Sequence, residues 1–110
     1  MKLPKKIKLL NRIFEVIRTD DLSLAYFMFR DPDNDGKPTI GIKKKLRDED
    51  LIEAFIHEIT ELIYELLRVR YTRPDDSTAF EFHYTHKEHD TAAKMLAGVI
   101  LELIRVNNKK

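Results

Sequence analysis

His57 and Glu61 stand four residues apart in the run Ile56-His57-Glu58-Ile59-Thr60-Glu61-Leu62-Ile63. On a helix both side chains leave one face a turn apart, so an imidazole nitrogen and a carboxylate oxygen can grip one cation. Glu58 lies about a quarter turn away, where it can reach a water held by that cation without ligating it. This is the spacing of a His-Glu-x-x-His metal helix with Glu61 in place of the second histidine. An ordinary amphipathic helix gives much the same pattern. Asp50, Ala54, His57, Glu61, Glu65 and Arg68 fall on one stripe, while Leu51, Ile52, Phe55, Ile56, Ile59, Leu62, Ile63, Leu66 and Leu67 cover the rest.

A second histidine adds to the pattern. In a helix over 86–106, Ala92, Ala93, Leu96, Val99, Ile100, Leu103 and Ile104 form an apolar arc with His89 near its centre, and Thr91, Lys94, Gly98, Glu102 and Arg105 take the outer face. His89 is therefore expected to point inward. A lone histidine on an apolar face is ordinarily a hydrogen-bonded core residue, but a cation fixed by His57 and Glu61 would also give it a partner. His57, Glu61 and His89 would make a two-His, one-Glu set with an open fourth position, the composition of several catalytic zinc sites. Such a set leaves net positive charge on the ion, which lowers the pKa of a bound water towards about 7 and polarises a carbonyl. Glu58 would take the proton. His86, one turn earlier, is the alternative third ligand. His83 reads as a surface residue or one that supports a ligand, and Asp90 as a solvated carboxylate at a helix start. Imidazole with carboxylate suits zinc, and equally manganese or iron.

The elements that must position these residues can be read from periodicity. From Lys5 to Phe29 the pattern favours strands: Ile7 and Leu9, then Ile13, Val16 and Ile17, then Leu22, Leu24, Tyr26 and Met28, with Asp20-Asp21 as a break. Two or three antiparallel strands are expected there. Asp31-Pro32-Asp33-Asn34-Asp35-Gly36 reads as a polar turn and Thr39–Ile42 as a strand returning from it. The Asp-rich run also matches the first positions of a calcium loop. The ligand expected at the twelfth position is replaced by Ile42, however, and Pro38 breaks the frame. Asp48 is the expected N-cap of a helix over 48–70. Pro74 to Ser77 form a loop and Ala79 to Tyr84 an extended piece. Thr85-His86-Lys87-Glu88 has the form of a capping box that opens the last helix.

Composition bounds the rest. The chain has 110 residues, 43% of them hydrophobic, enough for one domain over 1–110 and one core. With 20 Lys and Arg against 19 Asp and Glu, the net charge gives no reason to expect nucleic acid. The basic clusters at Lys2–Lys8, Lys43–Arg47 and Lys109-Lys110 read as solvated edges. Without cysteine, disulfides and thiolate metal sites are excluded. No window approaches the ~18 apolar residues of a membrane span, and the start lacks the apolar stretch of a signal peptide, so a cytoplasmic protein is expected. The absence of Gln and Trp, with abundant Lys, Glu, Arg and Ile, is a bias shared with heat-adapted proteins.

Three pieces together resemble a known group: Lys-Leu-Pro-Lys-Lys-Ile-Lys followed by Phe14-Glu15-Val16-Ile17, the helix with His57-Glu58-Ile59-Thr60-Glu61, and Glu88-His89 opening a final helix with Ala92, Leu96 and Val99. The sequence is similar to very small zincin-like proteins, often encoded by phages and prophages. The resemblance implies an α+β fold. In it a small antiparallel or mixed β-sheet of three to four strands packs on an active-site helix and a C-terminal helix. It also implies a metallopeptidase-like activity on a peptide or protein substrate, with His57, Glu61 and His89 binding Zn2+ and Glu58 as general base. The alternative is a catalytically inactive, metal-stabilised binding or structural module, since ion binding adds to the folding free energy of so small a domain. In so short a chain the cleft walls can come from a second subunit, so a homo-oligomer is open.

Overall fold

The structure, a computed structural model, describes residues 1–20, 25–73 and 75–108. Asp21, Leu22, Leu24, Pro74, Lys109 and Lys110, which carry parts of the expectations above, lie outside the described residues. The chain runs β1 (Lys6–Leu9), β2 (Arg12–Thr19), β3 (Ala25–Asp31), a 3-10 turn (Pro32–Asn34), β4 (Lys37–Lys43), α1 (Asp48–Leu67), β5 (Arg70–Arg73), β6 (Asp76–Phe82) and α2 (His86–Asn108). This is an α+β arrangement, with a four-stranded sheet in the order β1-β2-β4-β3 and a separate two-stranded sheet β5-β6. No helix among the described residues is long and apolar enough to cross a membrane.

The sheet is mixed. β1 and β2 form an antiparallel hairpin, and β3 pairs antiparallel with β4, but β4 runs parallel to β2, with Glu15 opposite Thr39 and Arg18 opposite Ile42. β1 and β2 pair antiparallel as expected of the early strands, but β3 does not continue them, because β4 inserts beside β2. Thr39, Ile40, Gly41 and Ile42 are all buried, so this strand is covered on both faces and takes a central place. β3 is left at the edge, with Met28 and Arg30 exposed.

The Asp-rich turn is occupied by its own backbone. The Asp31 carboxylate accepts from the Asp33 N–H at 3.0 Å and from the Tyr26 hydroxyl at 2.9 Å, which ties the 3-10 turn to β3.

α1 seats on the sheet. Leu51, Phe55, Ile59, Leu62 and Ile63 pack with Ile7, Leu9, Phe14, Ile40 and Ile42 into the core, to which α2 adds Val99. Arg18 fixes the entry to α1, its guanidinium donating to the carbonyls of Lys43, Lys44 and Leu46 at 3.0, 3.1 and 2.7 Å. The N-cap position is Arg47, without a side-chain cap, and not Asp48, which has a left-handed φ of 49°. Asp48, Glu49 and Asp50 still place negative charge in the first turn, where the helix dipole favours it. The helix ends three residues before the expected boundary. Arg68 takes a left-handed φ of 55°, and the β-prone stretch that follows turns out to form β5. The capping box of α2 is present in full: Thr85 N–H donates to Glu88 at 2.9 Å and Glu88 N–H to Thr85 Oγ1 at 3.1 Å.

Arg18→Ala removes the clamp on three carbonyls ahead of α1. It is expected to lower unfolding free energy by about 2 kcal/mol in a urea titration, and a loss under about 0.5 kcal/mol would contradict the role given to it.

Candidate functional site

The seating of α1 decides where its polar residues go. His57 and Glu61 rise on the free side, with side-chain exposures of 65% and 36%, and His57 Nε2 lies 3.5 Å from Glu61 Oε1. Glu58 is carried to the margin of the core, where the residue is only 8% exposed. Its carboxylate nevertheless converges with the other two: one donor atom each from His57, Glu58 and Glu61 fall within 4.8 Å of one another.

Glu58 is the electrostatic centre of the group. Burial raises its pKa above the ordinary carboxyl value, the Glu61 charge raises it further, and His57 opposes both. Among the described residues no lysine or arginine pairs with it; the nearby guanidinium, Arg70, reaches Glu61 Oε1 and Glu65 Oε2 instead, at 3.6 Å each. A desolvated carboxylate beside a second carboxylate and an imidazole is a donor set that fits a divalent cation. Beside the group opens a cleft of about 590 Å³, lined by Ala25 at the start of β3, Leu46, and Asp50, Glu53, Ala54, His57 and Glu58 of α1.

His89 does not join the three. It is exposed and not inward-pointing as the apolar arc suggested. On α2 the arc packs on the core only from Ala92 onward, with Met95 and Leu96 partly buried and Val99 and Leu103 fully buried, so His89 lies ahead of the packed part. His89 packs edge-on against Tyr84 with ring centroids 6.1 Å apart, in a crevice of about 240 Å³ also lined by Thr60, Ile63, Tyr64 and Leu96. Thr60 and Tyr64 lie on the face of α1 next to the one that carries His57 and Glu61, so His89 meets a different side of the helix from the group. His86, the alternative third ligand, is further removed. Its side chain is 91% exposed and pairs with Asp90 at 3.5 Å, which makes Asp90 a partner of the helix start. His83 lies on the surface with Glu81 at 3.5 Å and Tyr71 edge-on at 5.1 Å.

Two residues of this region, Arg70 and Tyr64, were not read from the sequence as part of it. Arg70 belonged to the expected helix, yet from β5 it bridges Glu61 and Glu65 while its guanidinium carbon sits 4.6 Å over the Phe80 ring. Tyr64 lies one turn beyond Glu61, and the spacing 57, 61, 64 could have marked it. With Phe82 and Tyr84 it forms an aromatic cluster, in which burial and Tyr64 push the Tyr84 hydroxyl up to about 12.

Comparison with protein-family models, with curated proteins and with solved structures gives no match.

The raised pKa of Glu58 has a measurable consequence in the metal-free protein. A carboxyl whose pKa rises on folding is favoured neutral in the fold. The stability this confers is complete below the ordinary value of 4.5 and is lost as pH rises through the raised one. Glu58→Gln removes the charge, so it is expected to stabilise the metal-free protein at pH 8 by about 1 kcal/mol and to flatten its dependence on pH. Thermal melts across pH in the presence of chelator measure this, and a lower melting temperature for the variant at pH 8 would overturn it.

Proposed function

We propose that this chain is a minimal zincin-like hydrolase that acts on peptide bonds with a bound divalent cation, most simply Zn2+. The observation that carries the reading is the convergence of His57, Glu61 and the buried Glu58 beside an open cleft. His57 and Glu61 would hold the ion; His89, which the structure leaves outside the group, would complete the set only by turning towards Glu61 from its crevice. The ion supplies Lewis-acid activation of water and of the scissile carbonyl. Glu58, whose carboxylate lies beside those donors, would accept the proton of the attacking water and deliver it to the leaving amine. The cleft between β3 and α1 receives the substrate chain, and its burial of Glu58 limits competing water.

A second reading rests on the same geometry. Glu58 offers an oxygen within 4.8 Å of the other two donors, so it can itself be the third ligand. The site would then hold a His/Glu/Glu-bound ion as a staple for a small domain, without turnover.

Glu58→Gln separates the two. In a hydrolase the variant keeps its metal and loses at least about 100-fold in cleavage of a peptide library, while chelation abolishes cleavage by the parent chain. In the structural module no peptide is cut, the variant loses its metal, and chelation lowers the melting temperature of the parent. Cleavage that survives Glu58→Gln would rule out the hydrolytic mechanism.

A further inference from the structure

The cleft between β3 and α1 is lined by charge of one sign. Asp50, Glu53 and Glu58 of α1 border it, and no lysine or arginine does. The bases on the approach to α1 are engaged elsewhere: the Arg18 guanidinium on the carbonyls of Lys43, Lys44 and Leu46, and Lys44 Nζ on Asp20 at 3.4 Å. Asp50 sits in the first turn of the helix, where the dipole accounts for it, but Glu53 lies beyond that turn. Both are exposed, and among the described residues neither makes an ion pair or a side-chain hydrogen bond. Glu58 borders the same space from within the fold. The residue is 8% exposed, and among the described residues it has no hydrogen bond and no lysine or arginine on it. A carboxylate so placed favours positive charge in whatever enters the cleft.

The other walls are apolar. Ala25, Leu46 and Ala54 are half-buried, and the two alanines leave width between β3 and α1. A lysine or arginine side chain matches both surfaces, because its methylene stem covers apolar wall while its head meets the carboxylates. The space, about 590 Å³, is large enough to take such a side chain with part of the chain that bears it. Its place relative to the cation group is set by the helix. Glu53 precedes His57 by one turn, about 6 Å along the axis, and Asp50 by two. A side chain seated on them therefore belongs to a residue next to the bond held at His57, Glu58 and Glu61. An acidic side chain there is repelled by all three carboxylates, and an apolar one leaves them without a partner.

We infer that the cleft selects a peptide with lysine or arginine beside the bond to be cut, and that Asp50 and Glu53 are the residues that determine this specificity. The cutting rests on the hydrolytic reading above; the selection does not. Labelled, capped pentapeptides with Lys, Leu or Glu at the centre of four alanines, methylated at the two central amide nitrogens, report binding without cleavage. By fluorescence anisotropy on the Zn2+-equilibrated chain the Lys peptide should bind about 10-fold tighter than the Leu peptide, more weakly as salt is raised, and the Glu peptide weakest. Asp50→Asn with Glu53→Gln should erase that order, with helix content unchanged because both side chains are exposed. Cleavage of an unmethylated peptide library should fall beside Lys and Arg, and the double variant should lose that bias. The Lys preference without any cleavage would sink the hydrolase and leave the selection standing. Equal or absent binding of the three peptides, a preference that survives the double variant, or cleavage without bias towards Lys and Arg would each overturn the inference.

Discussion

Helix α1 must bury one side against the sheet, and it does so through Leu51, Phe55, Ile59 and Leu62. At about 100° per residue that seating leaves no freedom for the rest of the helix. His57 and Glu61 emerge on the open side, and Glu58 is drawn to the edge of the contact, where it loses most of its water. A carboxylate in that position costs free energy unless it is neutralised or paired, and the charge of Glu61 beside it adds to that cost. The fold thus concentrates negative potential at one point of α1 and leaves that point open to the cleft. The Arg18 clamp ahead of the helix and the left-handed cap at Arg68 behind it hold the seat at both ends.

The second sheet bears on the same point from the other side. β5 and β6 pair only with each other, and two strands alone are marginal in water. Their attachment is therefore local and specific: Arg70 bridges Glu61 and Glu65, and Phe82 packs on Tyr64 with ring centroids 4.9 Å apart. A guanidinium on Glu61 neutralises one carboxylate of the group, and among the described residues no lysine or arginine pairs with Glu58. The hairpin and the site are in this way coupled through one oxygen, Glu61 Oε1, which both Arg70 and His57 approach.

Much of this was legible in the residues. The helical period of 51–67, the capping box at Thr85–Glu88 and the turn at Asp31–Gly36 are local signals, and local physics decides them. The pairing of β4 beside β2 was not, because alternation along a strand says which residues are buried and not which strand lies next to it. The end of α1 was missed because Arg68 adopts a left-handed conformation that arginine shows no preference for, and with it went β5 and the role of Arg70. For the site, the His57–Glu61 pair followed from helical spacing alone. His89 was misjudged because an apolar arc gives the direction of a helix face but not how far along the helix the core extends; the fully buried residues of α2 begin only at Val99.

A donor group whose central carboxylate is buried, with no lysine or arginine on it among the described residues, should take up a cation, and direct metal analysis tests this most simply. The untagged chain, equilibrated with Zn2+ and dialysed, is expected to retain about one ion per chain by elemental analysis, and His57→Ala and Glu61→Ala are each expected to lose it. Zinc at background level in the folded parent chain, or one equivalent that persists in both variants, would contradict a cation site at His57, Glu58 and Glu61.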